Sequence, residues 1–179
     1  MKQSKIAVLV LYFGSLPPFF WVWLETANTN KTIDFYILTD DERVTSGDNV
    51  HVILMSFDDV RKRIADCFNF EIALERPYKL CDFKPAYGVV FADLLADYDW
   101  WGYCDVDLLL GDIRGFFTEQ VLSNCDRCQY LGHLSIYRNT DAVNNAFKVQ
   151  GQYPDLNYQD VFATGDSMYF DEYRGMYEK

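Results

Sequence analysis

Positive charge is in short supply in this chain. Lys and Arg number 16 against 27 Asp and Glu, a formal charge of −11 over 179 residues, and that balance excludes a protein that grips nucleic acid through its phosphates. A phosphate-bearing ligand would have to be small and would need a divalent cation between itself and an acidic site. Interdomain linkers, internal repeats and low-complexity tracts are all missing, so one domain is expected. With half its residues apolar and 17% aromatic it can bury a sizeable core. A membrane-spanning run is missing as well. Ile6 to Leu24 is apolar apart from Gly14, Ser15 and two prolines, but a spanning helix needs roughly 20 uninterrupted apolar residues and Pro17-Pro18 would break it. No small-residue cleavage site follows, as a signal peptide requires. A disulfide framework is also lacking: Cys67, Cys81, Cys104, Cys125 and Cys128 are odd in number, which argues for reduced thiols and a cytosolic compartment. Cys125 and Cys128 form a CxxC, yet without a second pair and with only His133 nearby, packing or turn roles are favoured over zinc or redox chemistry.

What is present is alternating strand and helix punctuation. Lys5 to Phe13 reads as a strand, followed by a Gly-Ser turn and a helix starting at the prolines with Phe19, Phe20, Trp23 and Leu24 on its buried side. Ile33 to Leu38 and Val50 to Met55 read as buried strands separated by a polar loop. Ser56 and Asp59 approximate a capping box for a helix over Phe57 to Phe68. Pro85 opens a helix over Ala86 to Leu95, with Val89, Val90, Ala92 and Leu95 toward a core. Trp100 to Cys104 is another strand, Ile113 to Leu122 a helix, Gln129 to Tyr137 one or two strands, and Ala142 to Val149 a helix. This alternation predicts an α/β fold whose largely parallel sheet is covered on both faces.

In such a sheet ligands bind beyond the carboxyl ends of the strands, where Asp105 and Asp107 fall. Residues two apart in an extended segment face the same way, roughly 6–7 Å apart at the backbone. Their carboxylates can therefore converge on one hard cation, or on a cation and a sugar hydroxyl. The alternative is a pair of turn residues facing water. Asp112 reads as the N-cap of the helix at Ile113 rather than a third ligand. An EF-hand loop from Asp105 fails, because Leu109, Leu110 and Phe116 stand where Asp or Asn, Gly and Glu are needed. A haloacid-dehalogenase-like phosphatase stays as the runner-up for the DxD, although Leu109 departs from its pattern.

Asp105-Val106-Asp107 after an aromatic strand, preceded by RPYKLCDFKPAYGVVFADLL, stands in an ordered set with YFGSLPPFFWVWL, IDFYILTDD, GHLSIYRN and FDEYRG. Together these resemble the nucleotide-sugar half of GT-A glycosyltransferases, especially bacterial capsule- and polysaccharide-type proteins related to glycosyltransferase family 32, over nearly the whole chain. The resemblance implies a GT-A-like, Rossmann-type sheet and a single nucleotide-sugar-binding domain over 1–179, C-terminally short against its relatives. It implies a metal-dependent hexosyltransferase-like enzyme moving a sugar from a nucleotide-sugar donor, most plausibly a UDP-sugar, to a glycan or lipid-linked saccharide. Cytoplasmic placement is implied, with room for peripheral contact at the inner membrane face. Asp107 would hold Mn²⁺ or Mg²⁺, and Asp105 the metal or the ribose and sugar hydroxyls. Asp82 and Lys84 would contact nucleotide, phosphate or sugar, with a helix cap and a surface charge as the competing readings. Asp40 or Asp41 would receive base or ribose unless they are turn residues. Asp171 or Glu172 would serve the acceptor as base or electrostatic stabiliser, the alternative being a solvated pair. The late histidine that such enzymes place on the metal has only His133 as a counterpart, which reads as a strand residue. A nucleotide-sugar-binding or scaffold protein without catalysis is the alternative from another class.

Overall fold

The computed structural model describes residues 3–129, 132–150 and 156–172. Strand β1 (Ile6–Tyr12) is followed by helix α1 (Phe20–Thr29), β2 (Ile33–Thr39), β3 (Val50–Leu54) and α2 (Phe57–Ala65). A string of short turns then carries α3 (Leu80–Phe83), α4 (Tyr87–Val90) and α5 (Ala92–Leu95) into β4 (Trp100–Cys104). After it come α6 (Ile113–Phe116), α7 (Glu119–Leu122), β5 (Arg127–Cys128), β6 (Leu134–Arg138), α8 (Asp141–Asn144) and α9 (Tyr158–Ala163). The strands form one open six-stranded sheet in the order β3-β2-β1-β4-β6-β5. β1 pairs in parallel with β2 and β4, and β2 with β3, whereas β6 runs antiparallel to β4 and β5. This is a mostly parallel α/β sheet of Rossmann type.

Side-chain alternation divides the apolar residues between the two faces. Ala7 and Leu9 of β1 and Trp101 and Tyr103 of β4 pack with α2, the 80–95 segment and α9. Ile6, Val8 and Val10, with Trp100, pack against Phe20, Trp23 and Ala27 of α1 and against Ile113, Phe117 and Leu122. Both faces are therefore covered, as the alternating pattern requires.

Several helices are shorter than their apolar periodicity suggests, for local reasons. The Ser56–Asp59 capping box is present in both directions, Ser56 Oγ accepting from Asp59 N–H at 3.1 Å and Asp59 Oδ2 from Ser56 N–H at 3.1 Å. The expected helix over Ala86 to Leu95 is broken: Pro85 supplies no N–H, and Phe91 (φ −114°, ψ 28°) separates α4 from α5, leaving Ala92 exposed. Likewise Ile113 to Leu122 is two turns. Phe117 leaves the helical region, and Thr118 caps α7 by accepting from Val121 N–H at 3.3 Å. Helix α1 begins at Phe20 instead of the prolines, so Phe19 is 49% exposed and not in the core. Of the one or two strands expected over Gln129 to Tyr137, the described part holds β6 at the end of the range, with β5 just before it; Tyr130 and Leu131 lie outside the described residues. Helix α9, capped by Asn157, was not foreseen.

Candidate functional site

The chain runs outward from β1 to β2 and β3 and then returns to pair β4 on the other side of β1. At this reversal the loops leaving the two strands part in opposite directions and open a crevice at their carboxyl ends. A cleft of about 570 Å³ lies there, with Asp105, Asp107, Lys84, Asp171 and Glu172 in its walls. A second hollow of about 550 Å³, lined by Ser4, Asp34 and Arg114, touches the opposite ends of β1 and β2. That is the wrong side of the sheet for the strand-end chemistry.

Lys84 ties two of the four cleft carboxylates together. Its ammonium donates to Asp105 Oδ1 at 2.7 Å and to Asp171 Oδ2 at 2.9 Å, 5.3 Å from the centre of the Tyr103 ring. Burial works against its charge, but the two carboxylates prevail and hold its pKa well above the ordinary lysine value. The Asp171 side chain is 3% exposed. Burial pushes its carboxyl up to about 6 against the opposing pull of Lys84, with Glu172 and Asp105 adding to the rise. Asp105 also carries His133 on its other oxygen, Nδ1 to Oδ2 at 3.5 Å, and its N–H donates to the His133 carbonyl at 2.9 Å. His133 thus stands beside the acidic site, just ahead of β6, and is not a strand residue.

Asp107 is exposed, and among the described residues nothing hydrogen-bonds or ion-pairs with its carboxylate. Oxygen donors of this kind suit Mn²⁺ or Mg²⁺. The chemistry of these donors fits such an ion, and Asp107 and Asp105 are the residues that would hold it, Asp105 Oδ1 already accepting from Lys84. Another acidic group, Cys81 with Asp82 and Asp171, has its candidate ligand atoms within 4.8 Å of one another. Burial pushes the Cys81 thiol up to about 11, and both carboxylates already hold protein cations or N–H groups, so the protein itself satisfies this group.

Asp82 does not reach the cleft, which corrects its expected role as a donor contact. It is fully buried and ion-paired with Lys79 at 2.8 Å. Its oxygens accept the N–H groups of Met168 at 2.9 Å and Phe170 at 2.8 Å. These two residues straddle Tyr169, which sits at φ 53°, and the next residue is Asp171. The pair is fully satisfied: Lys79 Nζ also donates to the carbonyls of Val161 at 2.9 Å and Asp166 at 2.5 Å. Asp82 is therefore the clasp that turns the 166–171 segment into the cleft. Sequence reading passed over Lys79 because buried lysines are rare. The three-residue spacing Lys79-x-x-Asp82, one helical turn, was the available signal.

Asp40 and Asp41 follow their turn reading. Asp40 Oδ1 accepts from Gly14 N–H at 2.9 Å and fastens the turn after β1. Asp41 is bound by Arg43, whose guanidinium lowers its carboxyl to about 2. Neither lines the cleft. Glu172 does, packed so closely on Gly132 (φ 81°) that a Cβ there would stand 2.5 Å from Glu172 Cγ. Of the FDEYRG motif, residues 173–175 lie outside the described residues. Three aromatic side chains on the cleft were not foreseen as site residues: Phe19, Tyr78 and Tyr169, exposed by 49%, 64% and 54%.

No curated protein matches the chain. A family of unknown function (DUF6625) matches residues 8–179, a span that takes in Lys84, Asp105, Asp107, Asp171 and Glu172 of the cleft, and the chain belongs to that family.

Proposed function

We propose that this cleft binds a nucleotide sugar and transfers its sugar, in keeping with the resemblance to metal-dependent GT-A glycosyltransferases of the capsule and polysaccharide type. The observation that carries the reading is the meeting of Asp105, Asp107, Lys84, Asp171 and Glu172 in one cleft at the switch point of the sheet. Mn²⁺ or Mg²⁺, when bound by Asp107 and Asp105, would supply the positive charge that a diphosphate leaving group requires. Lys84 offers a second, built-in positive charge at the same place. The exposed faces of Phe19, Tyr78 and Tyr169 suit stacking against a base or a sugar ring. Asp171, with a carboxyl near 6, is tuned to take a proton from an acceptor hydroxyl close to neutral pH. Glu172 stands beside it. The acceptor is a glycan or lipid-linked saccharide, and the reaction belongs to the cytoplasmic side with at most peripheral membrane contact. Among the described residues no helix is long and apolar enough to cross a membrane.

One observation favours a second reading, a nucleotide-sugar-binding protein without turnover: Asp171 is held by Lys84 at 2.9 Å, and a carboxylate so paired is a weaker base. Thermal unfolding with UDP and UDP-sugars tests the shared part, because a ligand of the native state raises its stability. Stabilisation is expected with Mn²⁺ and not in EDTA, and Asp107→Asn should lose it while unfolding like the parent without ligand. Equal stabilisation in EDTA removes the metal from the reading, and indifference to every nucleotide sugar removes the reading itself.

A further inference from the structure

The CxxC turn takes no part in the cleft, yet it brings two thiols together. Cys125 follows α7, and Cys128 closes β5, the edge strand. Their Sγ atoms stand 2.6 Å apart, against about 2.05 Å in a disulfide. The turn is held from β6. Arg138 donates its guanidinium to the carbonyls of Leu122 and Cys125, each at 2.8 Å, and to Asp126 Oδ1 at 2.8 Å. Its backbone N–H donates to the Asp126 carbonyl at 2.8 Å. The folded sheet therefore keeps the sulfurs in register, with Cys125 half-buried and reachable and Cys128 buried behind it.

We propose that Cys125 and Cys128 form a reversible disulfide modification site whose oxidant is a small-molecule disulfide of the glutathione type. The Cys125 thiolate attacks one sulfur of that disulfide and expels one thiolate. The Cys128 thiolate then attacks the Cys125 sulfur and expels the second. Two electrons leave the pair for the oxidant, and the two cysteine protons end on the two released thiols. The surroundings make the pair a receiver of oxidation rather than a catalyst of it. Catalytic CxxC thiols owe their acidity to a helix N-terminus or a nearby cation, whereas Cys125 follows the end of a short helix, and burial pushes the Cys128 thiol up to about 12 against the opposing pull of the Arg138 charge. The site lies at the root of the segment that braces Asp105. Beyond Cys128 the chain passes left-handed Gln129 (φ 66°) and Gly132 (φ 81°) to His133, whose carbonyl holds Asp105 N–H.

The test uses Cys67→Ser protein, which removes the exposed thiol, equilibrated in glutathione redox buffers, alkylated while folded and weighed. A species short of two hydrogens and free of glutathione is expected, with Cys125 and Cys128 joined in its peptide map. It should revert with dithiothreitol, vanish when Cys125→Ser is added, and form faster in folded protein than in urea. The proposal is overturned if every remaining thiol stays free across the buffers, if a glutathione adduct persists on Cys125, or if urea leaves the rate unchanged.

Discussion

Lys84 and Asp171 oppose each other in a way that pH can read. A carboxyl whose folded pKa lies near 6, above its ordinary 3.8, is protonated in the folded state over a range where the unfolded chain has already released the proton. Stability therefore falls as pH rises from about 4 to about 6, and the loss is complete above that window. Asp171→Asn removes the titration, so the stability of the parent relative to this variant should decline between pH 4 and 6 in urea unfolding and stay flat above. A parallel pair of curves would show that Asp171 does not titrate there. In turnover, Asp171→Asn or Glu172→Gln should leave donor affinity by calorimetry nearly unchanged while slowing transfer or donor hydrolysis by about 10²–10⁴-fold, the usual scale for a lost proton-transfer group. Loss of affinity together with rate would assign these residues to the donor. A parent that binds but never turns over would establish the second reading.

Among the elements, the 166–171 segment depends most on a single side chain. Asp82 receives two of its N–H groups and neutralises Lys79, whose other protons hold Val161 and Asp166. Asp82→Ala leaves a buried ammonium with no counter-ion, which costs about 3–5 kcal/mol, and frees the turn that presents Tyr169 and Asp171. Urea unfolding should register the first effect, and hydrogen exchange at Met168 and Phe170 the second. If exchange there stays slow, the clasp lies elsewhere. The 80–95 segment is a string of turns because Pro85 interrupts the hydrogen-bond ladder and Phe91 leaves the helical region; within α4, Gly88 lies so close to Trp101 that a Cβ would stand 2.6 Å from the indole.

At the scale of the whole molecule the two apolar layers share one sheet, β1 and β4 contributing alternate side chains to both. Neither layer can lose its strands without exposing the other, so a single cooperative transition is expected. The tryptophans make this visible: Trp23 and Trp100 lie on one face and Trp101 on the other. Their fluorescence and the far-ultraviolet dichroism should trace one superimposable denaturation curve. Separate midpoints would show the two faces unfolding as separate units.

What the sequence determined by itself was whatever depends on local periodicity and local hydrogen bonding. Strand Trp100–Cys104 was legible because a short apolar run bounded by polar residues has few other uses, and the Ser56–Asp59 and Asp112 caps because their partners lie three residues away. The α/β class followed from the alternation of such segments, and the placement of Asp105 and Asp107 at a strand end followed from the same run. Tertiary structure alone decided which charged groups meet. Asp82 and Lys84 are two residues apart, yet one turns into the core to hold residues 168 and 170 and the other into the cleft to hold Asp105 and Asp171. Lys79 is buried through contacts 82 and 87 residues away. His133 reaches Asp105 only because β6 runs antiparallel to β4. The physical reason is the range of the interactions: a cap or an apolar alternation is written within one turn or two strand residues, whereas a buried charge takes its role from whichever partner the fold delivers, and that partner is distant in the chain.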